Sequence, residues 1–159
     1  MFGRIVLVLA AGLLLAGIAT ACSSEKEVNA PPPAKRTLFM TALEYKGSTE
    51  VAKEPFPASK LDGSGYILKE PVEGKWETST YRYEPGALVV YQGDDVELRI
   101  WGVNGAQHPS SIENYVSDFN VKRGQLTTVN FKADKAGLFR IVCKTHLPSM
   151  ESYLLVLPR

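Results

Sequence analysis

One short stretch, FRIVCKTHLPSM at residues 139–150, carries Cys143, then His146, then Met150. The whole chain holds two cysteines, two histidines and three methionines, so this grouping uses much of its soft-donor inventory. A thiolate, an imidazole and a thioether offer a transition metal a soft ligand set. The second histidine, His108, lies 35 residues before Cys143, just after a strand-like run and the turn signal VNG at 103–105. Taken singly, each residue has a plain explanation: a buried free thiol, a hydrogen-bonded histidine, a methionine filling the core. Taken together, all four stand at strand ends or in loops, where a sheet protein can bring them to one point. Two imidazoles, one thiolate and a weak axial methionine suit a copper ion that exchanges single electrons. Structural zinc sites close with four strong donors, and a thioether is not one. Only three strong donors are evident here, which leans the set toward copper.

The N-terminus sets the compartment. In MFGRIVLVLAAGLLLAGIATAC one positive charge, Arg4, precedes an apolar run to about Ile18, and small residues lead to Cys22. This is the layout of a secretory signal over 1–21; the apolar run is shorter than the ~20 residues that span a bilayer. Ala19-Thr20-Ala21-Cys22 resembles a bacterial lipobox, in which Cys22 takes the lipid and becomes the mature N-terminus. The reading predicts an exported lipoprotein, periplasmic or on the outer face of a bacterial membrane. Cys143 is then left without a disulfide partner in its own chain, which makes it a reactive thiol, an intermolecular bridge or a metal ligand. Residues 22–36 are polar and then proline-rich, too poor in apolar surface to fold, and read as a tether. Without Arg4 the chain balances 17 basic against 17 acidic residues. No charge surplus points to nucleic acid.

The elements that must position the candidate donors lie in residues 37–159, a normal size for one domain. Short runs rich in Val, Ile, Leu, Tyr and Phe alternate with turn residues, and no convincing helix follows the signal. In VELRIWGV, Val96, Leu98 and Ile100 alternate with Glu97, Arg99 and Trp101, the period of a half-buried strand. Strands are predicted at Thr37–Tyr45, Trp76–Tyr83, Ala87–Tyr91, Val96–Val103, Leu126–Phe131, Leu138–Val142 and Tyr153–Leu157. Turn signals at QGDD (92–95), KRG (122–124) and DKAG (134–137) separate them. The fold class is therefore all-β, an antiparallel β-sandwich. Residues 47–74, with Pro55, Pro57, Gly63, Gly65 and Pro71, fit no strand well and read as a long loop or insertion.

From about residue 81 onward the chain resembles the cupredoxins, and among them the domain shared by cytochrome c oxidase subunit II and nitrous oxide reductase. The matching pieces are PGALVVYQGDDVELRI, the NGAQH that carries His108, and FKADKAGLFRIVC running into the ligand loop. The resemblance implies Greek-key winding of the sandwich and a copper site built from His108, Cys143, His146 and Met150. The two-copper centre of those enzymes needs two cysteines in this loop; one is present, so a single copper ion per chain is implied. Methionine follows the histidine after three residues rather than two or four. A carboxylate in the axial position, as in red copper proteins of the nitrosocyanin type, is the alternative, with Glu151 and Glu113 the candidates.

Three functions fit. The first is a tethered electron carrier between exported redox proteins, such as a cytochrome c, an oxidase or a copper reductase. Its contact would be a small apolar patch where His146, Leu147 and Pro148 expose an imidazole edge. The second is copper delivery or storage for oxidase assembly, against which stands the scarcity of methionine and cysteine. The third is a red-copper redox enzyme. No Ser/His/Asp arrangement or phosphate loop competes, because His108 and His146 are the only histidines.

Overall fold

The computed structural model describes residues 30–59, 63 and 65–159. The signal, Cys22 and most of the tether fall outside the described residues. Ten strands are present: β1 (Lys35–Glu50), β2 (Tyr66–Val72), β3 (Lys75–Glu84), β4 (Ala87–Tyr91), β5 (Asp95–Gly102), β6 (Gln107–Ile112), β7 (Val116–Lys122), β8 (Leu126–Lys132), β9 (Gly137–Cys143) and β10 (Glu151–Leu157). They form two five-stranded sheets, β2-β3-β1-β5-β8 and β4-β10-β9-β6-β7.

Alternation drives the sandwich. Successive side chains on a strand point to opposite faces, so one face of each sheet can be apolar throughout. Val96, Leu98 and Ile100 on β5 are buried, and so are Phe139 and Ile141 on β9 and Leu154 and Val156 on β10. They meet in one core with Met40, Tyr83 and Val121. Burying each such side chain contributes roughly 1.5–3 kcal/mol, and this layer holds the two sheets together.

The β-sandwich is as expected, with two parallel pairings inside it: β1 with β5 and β4 with β10. The chain passes between sheets after β3, β4, β5, β7 and β8. Sheet neighbours are then often not chain neighbours, and no hairpin forces them antiparallel.

The long loop expected at 47–74 is corrected. Gly47–Glu50 continue β1, and Tyr66–Val72 form β2, which pairs with β3. The strand was hidden because β2 is a largely exposed edge strand that carries Pro71 and a bulge between Lys69 and Val72; edges tolerate proline and need no apolar alternation. The β2–β3 hairpin turns through Glu73 (φ 51°) and Gly74 (φ 75°), the pair of positive φ values that matches strand twist. Likewise β6 and β7 were not predicted. In β6 the buried face is His108, Ser110 and Ile112, two of them polar, and Pro109 interrupts the run.

Asp94, in the turn between β4 and β5, fastens both ends of the domain. Its carboxylate is fully buried and accepts hydrogen bonds from Ala34 N (3.0 Å), Tyr91 N (3.0 Å) and Arg36 Nε (3.1 Å), and from the Arg159 guanidinium. Burial alone would raise its pKa, but the Ala34 and Tyr91 amides and Arg36 outweigh burial and hold it below the ordinary value.

Candidate metal centre

Strands β6 and β9 lie side by side in the middle of their sheet, joined by only three residue pairs: Ser110↔Cys143, Ser111↔Val142 and Ile112↔Ile141. His108 and Ser110 are two apart on one strand, so they share a face. Cys143 ends β9, and the chain then leaves in a tight loop. Lys144 N bonds to Pro109 O (2.7 Å), Met150 N to His146 O (2.9 Å), and Cys143 N to Met150 O (3.0 Å). These bonds fold the loop back over the end of β6, which places His146 above both His108 and Cys143.

The result is a cluster of three donors. Cys143 Sγ lies 3.3 Å from His146 Nδ1, which lies 3.3 Å from His108 Nδ1. The three donor atoms all lie within 4.8 Å of one another. His108 and Cys143 are fully buried, and His146 is half-buried. Cys143 is the free cysteine of the described residues.

A hydrogen bond fixes the His108 tautomer. Its Nε2 is 3.0 Å from the Asn104 carbonyl oxygen. A carbonyl can only accept, so Nε2 carries the hydrogen and Nδ1 presents a bare lone pair to the cluster. Asn104 is itself held: its side-chain amide donates to Glu44 O (2.9 Å), and Glu44 N donates to its oxygen (2.6 Å). Beneath, Ser110 Oγ donates to His108 O (2.8 Å), which leaves Tyr83, fully buried, to donate to Ser110 Oγ.

Every group in the cluster is pushed toward neutrality. Burial lowers the His108 pKa, with the Asn104 hydrogen bond opposing it, and burial plus His108 lowers that of His146. Burial raises the Cys143 thiol. Two neutral imidazoles are ready to ligate, and the thiol must release its proton to do so, so a bound cation displaces a proton and binds more tightly as pH rises.

The remaining predicted residues sort clearly. Met150 is fully buried at the foot of the loop, next to the cluster in the chain and tied to it by both of its backbone groups. Glu151 and Glu113 are not brought in. The Glu151 carboxylate is held by Arg140 (2.6 and 3.2 Å) and by the Tyr153 hydroxyl (3.1 Å), and the Arg140 bond keeps its pKa low. Glu113 accepts from Arg140 N (3.2 Å) on the same outer surface. At the expected contact patch Pro148 is exposed, while His146 and Leu147 are half-buried.

Sequence reasoning missed Tyr81 on β3, whose ring stacks on the His146 ring at 3.8 Å between centroids and 9° between planes. No spacing signal marks it; it is one aromatic among several in a strand. Behind Tyr81 lies a cleft of about 480 Å³ lined by Glu44, Lys46, Lys69, Glu77 and Arg123 among others. Its acids are already paired with its lysines, Glu44 with Lys46 (3.1 Å) and Glu77 with Lys69 (2.5 Å), and none of the three donors lines it.

Neither protein-family models nor curated proteins match the chain. Among solved structures, the copper nitrite reductase from Nitrosomonas europaea is similar over 79% of this chain and 42% of its own, at 15% identity and a TM-score of 0.52. Together with two mixed sheets wound across a common core, that match decides the architecture. The fold is cupredoxin-like. Two more similar structures are the multicopper oxidase mgLAC (17% identity, 79% of this chain and 39% of that one, TM-score 0.49) and auracyanin A, a "blue" copper protein from Chloroflexus aurantiacus (19% identity, 47% and 88%, TM-score 0.41). The chain spans about two-fifths of the length of the reductase and the oxidase. In the cupredoxin-like fold described here, the three donors gather at one end of β6 and β9, where loops from both sheets converge.

Proposed function

We propose that this chain holds one copper ion and passes single electrons between exported redox proteins. The observation that carries the reading is the convergence of His108 Nδ1, Cys143 Sγ and His146 Nδ1, with His108 and Cys143 fully buried. One soft thiolate with two imidazoles fits copper, and among the described residues four strong donors for a closed structural zinc site are not gathered there. Copper, when bound, supplies a one-electron couple. The protein's part is to hold the donors: Asn104 orients His108, the loop hydrogen bonds fix His146, and burial of Cys143 keeps water from the sulfur. With one cysteine in the loop, the resemblance to the oxidase and nitrous oxide reductase domain is read as kinship of fold around a single ion. Storage or delivery of copper is less well served, because Met40 and Met150 are both buried rather than presented to a partner.

The test is copper loading of the purified chain. One copper per chain is expected, with an intense thiolate-to-copper band in the visible spectrum and a mononuclear paramagnetic signal. Two coppers with a mixed-valence signal, or a colourless complex, would overturn the reading.

We place the protein on a bacterial membrane through lipidated Cys22, with a cytochrome c, an oxidase or a copper reductase as the class of partner. The motif at 19–22 and the polar tether support this. Metabolic labelling with a fatty-acid analogue should mark the wild type and not Cys22→Ser; label retained by the variant counts against the anchor.

A further inference from the structure

We propose that Tyr81 and Gly65, neither of them a donor, are positioning residues that hold the His146 imidazole. The inference rests on reading His108, Cys143 and His146 as a metal centre.

Gly65 links three parts of the molecule. Its N–H donates to Leu147 O (3.2 Å), and its carbonyl accepts from both the Ser149 hydroxyl (2.6 Å) and Tyr81 N (3.1 Å). One buried residue therefore ties β3 to the loop that carries His146. The approach leaves no space for a side chain: a Cβ at Gly65 would lie 2.5 Å from His146 O and 2.9 Å from Ser149 N. Gly63, with φ 124°, comes equally close to Leu147 and Pro148, where a Cβ would meet Leu147 O at 2.8 Å. Two glycines press the start of the β2 segment onto the ligand loop.

Tyr81 completes the clasp from the other side. Its amide is pinned by Gly65, and it stands directly opposite Glu44 in the antiparallel β1–β3 ladder. Glu44 in turn is the residue whose backbone holds Asn104, and Asn104 O orients His108. The same short piece of β1 thus steadies both histidines, one through the ring stacked on it and one through a carbonyl. With Tyr81 over one face and Cys143 and His108 on its Nδ1 side, the His146 ring has little freedom to turn. Partners of this kind, one step removed from the donors, typically change metal affinity 10–100-fold when removed.

The test compares Tyr81→Ala, Tyr81→Phe and Gly65→Ala in the full chain. In the metal-free protein, the His146 ring resonances should be single and sharp in the wild type and in Tyr81→Phe, and broadened by exchange in Tyr81→Ala. Copper affinity should fall about tenfold in Tyr81→Ala and Gly65→Ala, with a shifted thiolate-to-copper band, and return in Tyr81→Phe. Sharp His146 resonances and copper affinity within twofold of wild type in Tyr81→Ala would overturn the inference. If Gly65→Ala fails to fold in a thermal melt, the Tyr81 pair alone decides. A wild type that binds no copper while Tyr81→Ala still broadens His146 would sink the copper reading and leave the clasp standing.

Discussion

Cys143→Ser abolishes the visible charge-transfer band and weakens copper binding by at least about a hundredfold. The estimate is a floor, because even groups outside the donor set are worth 10–100-fold, and this one supplies the sole thiolate of the cluster. The hydroxyl that replaces it is a harder donor and does not ionise at neutral pH. The substitution also places a new polar group in a fully buried position at the end of β9, where an unsatisfied hydroxyl costs about 1–3 kcal/mol. The metal-free variant is therefore slightly less stable than the wild type but folded. A copper titration followed by absorbance, with a thermal melt of both metal-free proteins, separates the two effects. Colour retained in the variant would assign the sulfur ligand elsewhere and remove the central argument for copper.

Asp94→Ala lowers the stability of the domain by about 3 kcal/mol, the usual scale for removing one partner from a buried charged network. The loss leaves the Ala34 and Tyr91 amides without their acceptor and the Arg36 and Arg159 guanidiniums without their carboxylate. The pH dependence carries a sign. The folded-state pKa of Asp94 is below the unfolded one, so its contribution is fully present above the ordinary aspartate value of about 3.9. It is lost as pH falls from there through the lowered folded value. Urea unfolding of wild type and Asp94→Ala at pH 7 and near pH 3 checks this: the gap between them should shrink at the lower pH. An equal gap at both pH values would mean that the carboxylate charge is not what holds the two ends.

The three residues that the structure gathers were legible because their types are rare in the composition. With two histidines and one cysteine beyond the N-terminal segment, His108, Cys143 and His146 could be singled out by type alone; the strand that precedes His108 announced itself by alternation, and the one leading to Cys143 by its apolar run after a turn signal. What was not legible is instructive in each case. β6 buries His108 and Ser110 where a core strand would bury aliphatics, because the start of its inner face belongs to the donor cluster and Ile112 at its end joins the core. β2 and the continuation of β1 are exposed strands whose inward-outward pattern is faint. Glu151 stood beside Met150 in the chain, yet it opens β10 with its carboxylate held by Arg140 on the outer surface. Tyr81 and Gly65 act through contacts with residues 65 and 84 positions away, respectively. Such pairings are invisible until the sheets are assembled.

The short ladder between β6 and β9 has a consequence for how the protein comes apart. With three residue pairs it is the shortest ladder in its sheet, and it divides β4-β10-β9 from β6-β7. His108 stands on one side of that ladder, Cys143 and His146 on the other. An ion held by all three would be a staple across this short ladder. Occupancy would then stabilise the paired sheet with the logarithm of free metal, by about 2.7 kcal/mol when the ion stands at a hundred times its dissociation constant. The same staple enforces register, since a slip of one residue would turn Cys143 to the opposite face of the sheet. The correctly paired sheet is the form that the ion rewards.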